Sequence, residues 1–158
     1  MAALLFGCGP ETSSSRAIPV GAPARSSPKD AALESEVLDL VNRHRLAHGL
    51  RALALDERVG RSAHEHSAAM ASGRLRLGHD EFHARIGATG RVCQRSAENV
   101  AFNEGQPRPG AEAVDGWLKS RAHRRAIEGP YDVTGVGVAS NASGAIYFTQ
   151  IFLGGCAP

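Results

Sequence analysis

Lysine and cysteine are both scarce in this chain of 158 residues. Lys29 and Lys119 are its only lysines, so arginine supplies almost all of the positive charge. The three cysteines, Cys8, Cys93 and Cys156, lie far apart and form no CxxC pair. This spacing excludes a zinc ribbon and a thioredoxin-like redox motif. No apolar run reaches the roughly 18 residues that a membrane-spanning helix requires.

Strong charge and common catalytic motifs are also missing. The 18 basic and 16 acidic residues leave a net charge of +2, too little to indicate a nucleic-acid partner. No GxSxG motif, P-loop or glycine-rich dinucleotide motif is present. Hydrophobic residues make up 42% of the chain, enough to form a core. The length and composition therefore predict one folded domain with a tail.

The tail is predicted to lie at the N-terminus. Leu5-Phe6-Gly7-Cys8 resembles a bacterial lipobox and would make residues 1–8 a truncated lipoprotein signal with Cys8 lipidated. The signal lacks a positive n-region and its apolar part is short, and a misplaced start codon would explain both defects. The alternative interpretation is that these residues are only an apolar terminus. Residues 9–29, rich in Pro, Ser and Ala, predict a flexible tether, and residues 30–158 the domain.

Helices are predicted before strands along the domain. Asp30 and Asp56 are predicted N-caps of two helices, the first ending at Gly49 and the second near Ala71. The other predicted elements are a short extended piece at residues 53–55, a helix at 81–88 with Asp80 as its cap, a strand at 98–102, a helix at 111–120 and a hairpin of residues 133–140 and 145–153.

The last strand is apolar on both faces. Ile146, Phe148 and Phe152 point one way, while Ile151 and Leu153 point the other. A strand that is apolar on both faces must be covered on both faces, and only helices are available as covers. The sequence therefore predicts an α/β fold, a three-layer α-β-α sandwich around a small central, mostly antiparallel sheet.

Paired histidines raise the possibility of metal binding, but their spacing favours simpler roles. His44 and His48 are spaced i, i+4 and could share a metal, yet they lie where imidazolium groups favourably meet a helix C-terminus. A solvated or capping pair is the favoured interpretation. His64 and His66 are two residues apart, on different sides of a helix, so they cannot share one ion.

Several short motifs in order resemble the CAP superfamily of cysteine-rich secretory, antigen 5 and pathogenesis-related 1 proteins, in particular its bacterial SCP-like extracellular branch. The resemblance covers about residues 32–152. The motifs are Ala63-x-x-His66 with Met70, Gly78-His79, Ala97-Glu98-Asn99-Val100-Ala101, Trp117-Leu118-Lys119-Ser120-x-x-His123-Arg124, Gly135-Val136-Gly137-Val138 and Tyr147-Phe148-Thr149-Gln150-Ile151-Phe152.

The resemblance implies a central cleft with two histidines and two acidic residues. His79 and His123 match the histidines and Glu98 the first acid, while the second family acid falls on Ser120. His79, Glu98 and His123 would be a sufficient set for a zinc-like divalent ion, and the Ser120 hydroxyl could hydrogen-bond a ligand or water. The alternative is a structural cluster that ties helices to the sheet through buried hydrogen bonds. His66 is expected to be structural.

Two functions follow as hypotheses. The first is a non-catalytic binding module whose polar His/Glu cleft takes a small ligand, a lipid, a peptide or a divalent metal. The second is a metal-assisted hydrolase that uses His79, Glu98 and His123. The missing fourth acid and the lack of a nucleophile favour the first, so an enzyme is not expected. The resemblance implies a secreted protein, or one held at the bacterial envelope only by the lipid on Cys8.

Cys93 and Cys156 are expected at strand ends of one sheet. Cys93 should lie in the loop before the Glu98 strand, and Cys156 just after the last strand. A disulfide between them is geometrically reasonable. Two unrelated buried thiols are the alternative.

Overall fold

A computed structural model describes residues 26–157; the predicted lipobox with Cys8 lies outside the described residues, as does most of the predicted tether. No helix in the described range is both long and apolar enough to cross a membrane. The helices are α1 (Pro28–Ala47), α2 (Glu57–Ala71), α3 (Phe82–Ala88), α4 (Pro109–Lys119) and α5 (Arg121–Ile127). The strands are β1 (Ala54–Leu55), β2 (Cys93–Asn103), β3 (Val133–Ser140) and β4 (Ile146–Cys156).

Helix α1 begins two residues before the predicted cap. Ser27 is the N-cap: its side chain accepts a hydrogen bond from the backbone N–H of Asp30, and Pro28 fits the first turn because no N–H is needed there. The prediction of Asp30 as the cap is wrong. The Asp30 carboxylate is buried and accepts hydrogen bonds at 2.7 Å from the hydroxyls of Ser27 and Ser140, which ties the helix start to β3. Gly49, at φ +72°, follows the helix end as predicted.

Helix α2 confirms both predicted ends. The Asp56 side chain accepts hydrogen bonds from the backbone N–H groups of Arg58 and Val59, which satisfies two free donors of the first turn. The helix ends at Ala71. Its face toward the sheet lies directly on β3, because Gly137 has no side chain: a Cβ there would collide with the backbone of Ala63 and His64.

The sheet has four strands in the order β1-β3-β4-β2. Strand β1 runs parallel to β3, and the other two pairings are antiparallel, so the mostly antiparallel sheet is confirmed. The predicted hairpin joins β3 and β4. Its turn is held by the Asn141 side chain, which accepts hydrogen bonds from the backbone N–H groups of Ser143 and Ala145.

Helices cover both faces of the sheet, as the two-sided last strand predicts. On one face, Phe148 and Phe152 of β4 pack with residues of α1, α4 and α5 in the larger core cluster, which includes the buried Trp117. The Trp117 indole N–H donates to the carbonyl of Val100, which fixes α4 to β2. On the other face, Ile151 and Leu153 pack against α2. The three-layer α-β-α sandwich is therefore confirmed.

Besides the Asp30 cap, two further local predictions are wrong and one helix is not predicted. Asp80 does not cap α3; the N-cap position is Glu81, which has φ 62° and makes no side-chain capping bond. Strand β2 starts at Cys93, five residues before the predicted strand. Helix α5 was not predicted because its seven residues bury only Ala126 and Ile127, too few to produce a helical apolar pattern.

A disulfide joins Cys93 to Cys156, which confirms the predicted pairing. Cys93 is the first residue of β2 and Cys156 the last residue of β4, so both lie at strand ends as expected, although inside the strands and not in the adjoining loops. They face each other directly in the β2–β4 ladder. The bridge therefore closes the end of the sheet where these two strands terminate.

Candidate functional site

Glu98 is the centre of the candidate site. It lies on β2, and its side chain is only 2% exposed. Its two carboxylate oxygens accept hydrogen bonds from Nε and Nη2 of Arg85 at 2.9 to 3.0 Å, a forked ion pair. One of those oxygens also lies 3.0 Å from Nδ1 of His79. The buried negative charge of Glu98 is thus compensated by a permanent cation.

Arg85 is a site residue that sequence reasoning missed. It lies on α3, is largely buried, and also donates to the backbone carbonyl of Asp80 at 2.8 Å. In the sequence, Arg85 could be recognised only as an arginine in the predicted helix at residues 81–88, near the predicted cleft residues. Its partner lies 13 residues away on a strand, and no local pattern encodes that pairing.

The cleft histidines come from two other elements. His79 precedes α3, and its side chain is half exposed, so it forms the mouth of the cleft. His123 lies on α5, whose position is fixed by the Asn99 side-chain amide donating to the carbonyl of His123 at 3.1 Å. Burial, and then the nearby His79, lower the pKa of His123 below its ordinary value. The structure therefore places His79 against Glu98 and His123 near His79.

Ser120 lies at the corner between α4 and α5, three residues before His123. It is half-buried, and its side chain makes no capping hydrogen bond to α5. Its backbone carbonyl accepts from the N–H of Arg124 and starts the helix. A role for its hydroxyl in ligand binding stays a prediction.

His66 lies beneath Glu98 and has no exposed side-chain surface. Its Nδ1 is 3.1 Å from the hydroxyl of Thr149, while Nε2 is buried without a hydrogen-bond partner. Burial is the main cause that lowers the pKa of His66 to about 4, and the neighbouring Arg85 and His79 lower it further. His66 is therefore neutral near pH 7, and its 3.8 Å approach to Glu98 is not an ion pair.

The cleft does not fit a divalent metal in this arrangement. Both oxygens of Glu98 already accept from the Arg85 guanidinium, so a metal ion would have to displace one cation to reach its carboxylate ligand. Within residues 26–157, His79, Glu98 and His123 are not a set whose ligand atoms all lie within 4.8 Å of one another. The residue types are those expected for a zinc site, but the positive charge of Arg85 beside Glu98 is not.

An open groove of about 620 Å³ adjoins this cluster between α2 and α3. His66 and Arg85 form part of its wall next to Glu98. Apolar and charged side chains complete the lining: Ala69, Leu75, Ala84 and Ala88 together with Ser62, Glu65, Arg74 and Glu81. A mixed lining of this kind suits a ligand with both an apolar and a polar part.

The three-layer α-β-α sandwich is the fold of a CAP-type domain. The chain belongs to the CAP, cysteine-rich secretory protein, family, whose model matches residues 38–152. Among curated proteins it is 32% identical over 136 residues to the uncharacterized membrane protein YlbC of Bacillus subtilis (strain 168), covering 76% of this chain and 34% of that protein. It is also 32% identical over 131 residues to the uncharacterized protein YkwD of the same organism, covering 78% of this chain and 48% of that protein.

Solved structures agree with the family. An extracellular protein containing an SCP domain from Bacillus anthracis str. Ames has a TM-score of 0.66 and 25% identity, covering 83% of this chain and 45% of that chain. An outer surface protein from Borrelia burgdorferi has a TM-score of 0.67 and 18% identity, covering 78% of this chain and 92% of that chain, which shows the shared fold. The chain spans a third to a half of the length of the curated relatives that it matches.

Proposed function

We propose that this chain is a non-catalytic binding module that takes an amphiphilic, lipid-like ligand in the groove between α2 and α3. The observation that carries the proposal is the closed Arg85–Glu98–His79 cluster beside that groove. A carboxylate saturated by a guanidinium is a poor metal ligand and a poor general base, because its charge is already compensated. It is instead a rigid polar wall.

The hydrolase alternative lacks a nucleophile. Within the described residues, no serine, threonine or cysteine side chain hydrogen-bonds to His79 or to the ring of His123. Nucleophilic catalysis needs such a contact for activation, and metal-assisted hydrolysis needs the ion that Arg85 opposes. The alternative function of His79, Glu98 and His123 as a metal-assisted hydrolase is therefore the weaker proposal.

The groove offers complementary contacts to an amphiphile. Leu75 and the alanines of α2 and α3 supply apolar wall, and burying a ligand chain against them gains free energy in proportion to the area covered. His66 is one of the residues around the same groove, although its side chain, including the unpartnered Nε2, is fully buried. The ligand's polar group would then lie near Arg74, which is exposed at the groove.

An extracytoplasmic location is part of the proposal. The Cys93–Cys156 disulfide supports it, since such bonds persist in oxidising compartments. The similar structures from Bacillus anthracis and Borrelia burgdorferi are described as extracellular and outer surface proteins. Lipidation of Cys8 would hold the domain at the envelope.

The binding proposal is tested by titrating the purified full-length chain with a dansyl-labelled fatty acid and following probe fluorescence. We expect saturable binding that Leu75→Gln weakens about tenfold, because one apolar wall contact is lost. Leu77→Gln is the matched control: Leu77 is an exposed leucine two residues away that does not line the groove. Equal probe affinity in the Leu75→Gln and Leu77→Gln variants would show that the groove is not the binding site.

The hydrolase alternative has its own assay. The full-length chain is incubated with peptide and ester substrates, with and without zinc, beside a His79→Ala/His123→Ala double variant. We expect no turnover above that of the double variant. Turnover that the double variant loses would establish the alternative and contradict a non-catalytic role.

A further inference from the structure

A second cluster of metal-ligating side chains lies outside the cleft and shares none of its residues. His44 and His48 lie at the C-terminal end of α1, and Glu128 directly follows α5. One ligand atom from each of the three lies within 4.8 Å of the other two, the only such set of three in the part of the chain that the structure describes. Nε2 of His44 is 2.9 Å from the Glu128 carboxylate, and the two imidazole rings stack with centroids 4.0 Å apart.

Helix α1 fixes the tautomer of His48, so that this imidazole can bind a metal ion. The i, i+4 spacing places both rings on one face of α1. Nδ1 of His48 lies 2.8 Å from the backbone carbonyl of His44, which can only accept, so Nδ1 carries the proton. The lone pair of His48 is then on Nε2, free for an ion. A second hydrogen bond that fixes the tautomer in this way is typical of histidines that bind metals.

The position of Glu128 is fixed by a buried arginine. Nη1 of Arg45, which is 2% exposed, donates to the carbonyls of Ile127 and Gly129, on either side of Glu128. These bonds hold the backbone of Glu128 against the end of α1. The carboxylate is therefore presented to the histidines by the fold and not by chance contact between long, free side chains.

The donor chemistry and the local charge select the ion. Two imidazole nitrogens and one carboxylate oxygen suit zinc and neighbouring transition metals, whereas magnesium and calcium prefer oxygen ligands alone. The carbonyl end of α1, a 20-residue helix, carries partial negative charge that favours a cation there. Arg124 is the nearby charge that opposes it. The Glu128 side chain is 34% exposed, so water can complete the coordination.

We propose that His44, His48 and Glu128 bind one zinc-like divalent ion that links the C-terminal end of α1 to that of α5. Ligand atoms of tetrahedral zinc lie about 3.4 Å apart, given bonds of about 2.0 to 2.1 Å. The ligand atoms of the three residues lie within 4.8 Å of one another, so each pair has to close by at most about 1.4 Å to reach that spacing. The site is distinct from the Glu98 cleft, and it does not depend on what the groove between α2 and α3 binds.

The test is a calorimetric titration of the metal-free, full-length chain with zinc chloride at about pH 7.5, where imidazoles are neutral. We expect one zinc ion per chain and at least about a tenfold loss of affinity in His48→Ala and in Glu128→Gln. Circular dichroism checks that both variants are folded. His83→Ala is the matched control, because His83 is an exposed histidine outside both clusters. We also expect zinc to raise the melting temperature of the wild-type chain but not of His48→Ala.

A His79→Ala/His123→Ala double variant separates this site from the cleft. Full zinc uptake by the double variant supports the proposal. The proposal is overturned if the wild-type chain takes up no zinc at millimolar concentration, if His48→Ala and Glu128→Gln bind as tightly as the wild-type chain, or if only the double variant loses binding. The last result would also place the ion in the cleft and so contradict the conclusion that the Arg85–Glu98–His79 cluster does not fit a metal.

Discussion

The single residue His66 shows how burial alone can set the protonation state of a histidine that takes no part in catalysis. The folded chain keeps the ring neutral, because its pKa is lowered to about 4 against an ordinary value of 6.5. Between these two pH values the unfolded chain binds one more proton than the folded chain. Acidification through this window therefore favours unfolding.

We expect His66→Gln to flatten the pH dependence of stability between about pH 6.5 and pH 4. The wild-type free energy of unfolding should fall more steeply on acidification, by up to about 1.4 kcal/mol per pH unit relative to the variant. Glutamine retains a polar group that can contact Thr149. Urea unfolding at a series of pH values gives the slopes.

The exposed His83 supplies the control for this experiment. His83→Gln should leave the wild-type slope unchanged. A slope in His66→Gln equal to that of the wild-type chain would show that His66 titrates normally. The opposite shift of His64, whose pKa is raised chiefly by its hydrogen bond to Glu34, is present in all three proteins and cancels in the comparison.

At the scale of the element, the contact between α2 and β3 depends on the absence of a side chain. A Cβ at Gly137 would collide with the backbone of Ala63 and His64, and backbone atoms in a packed helix cannot rotate away. The Gly-Val-Gly-Val pattern of β3 is visible in the sequence. Only the structure shows that its glycines face a helix and not a turn.

We expect Gly137→Ala to lower the free energy of unfolding by about 1 to 3 kcal/mol, because α2 must move away from the sheet. Gly116→Ala is the matched control on α4, where a Cβ meets nothing within 4 Å. That change should raise stability by about 0.5 to 1 kcal/mol, since glycine weakens a helix. Denaturant unfolding measures both. Similar effects of the two substitutions would refute close α2–β3 packing.

The N-caps of α1 and α2 show when a local sequence pattern predicts the start of a helix correctly and when it does not. Asp56 was correctly predicted as the cap of α2, because its carboxylate meets the N–H groups of its own first turn. Asp30 is also an aspartate that precedes an apolar helix face. Its carboxylate, however, accepts a hydrogen bond from Ser140, 110 residues away, and Ser27 caps the helix instead. The sequence does not encode that competition.

For the whole molecule, the Cys93–Cys156 bridge is the main covalent constraint in the described residues. It joins residues 63 positions apart in the chain. In the chain-entropy model a loop of this size stabilises the folded state by about 4 kcal/mol, because it restricts the unfolded chain. It secures β2, the edge strand that carries Glu98.

We expect a Cys93→Ser/Cys156→Ser variant to lose about 4 kcal/mol of unfolding free energy. The urea midpoint measures the loss, and reduction of the wild-type chain should lower the midpoint comparably. Cys8→Ser controls for the loss of a thiol outside the bridge. An unchanged midpoint in the double variant would mean that the bridge contributes no net stability.

The sequence by itself predicted the α-β-α layers from local periodicity and caps, and its ordered motifs indicated the family and, through that resemblance, the candidate residues His79, Glu98 and His123. It made a Cys93–Cys156 bridge reasonable, and the structure decided for the bridge over two separate thiols. Only the tertiary structure decided that Arg85 compensates Glu98 and that Glu128 meets His44, contacts across 13 and 84 residues. Ion pairs form wherever folding brings charges within a few ångströms, and the chain carries no periodic signal of that meeting.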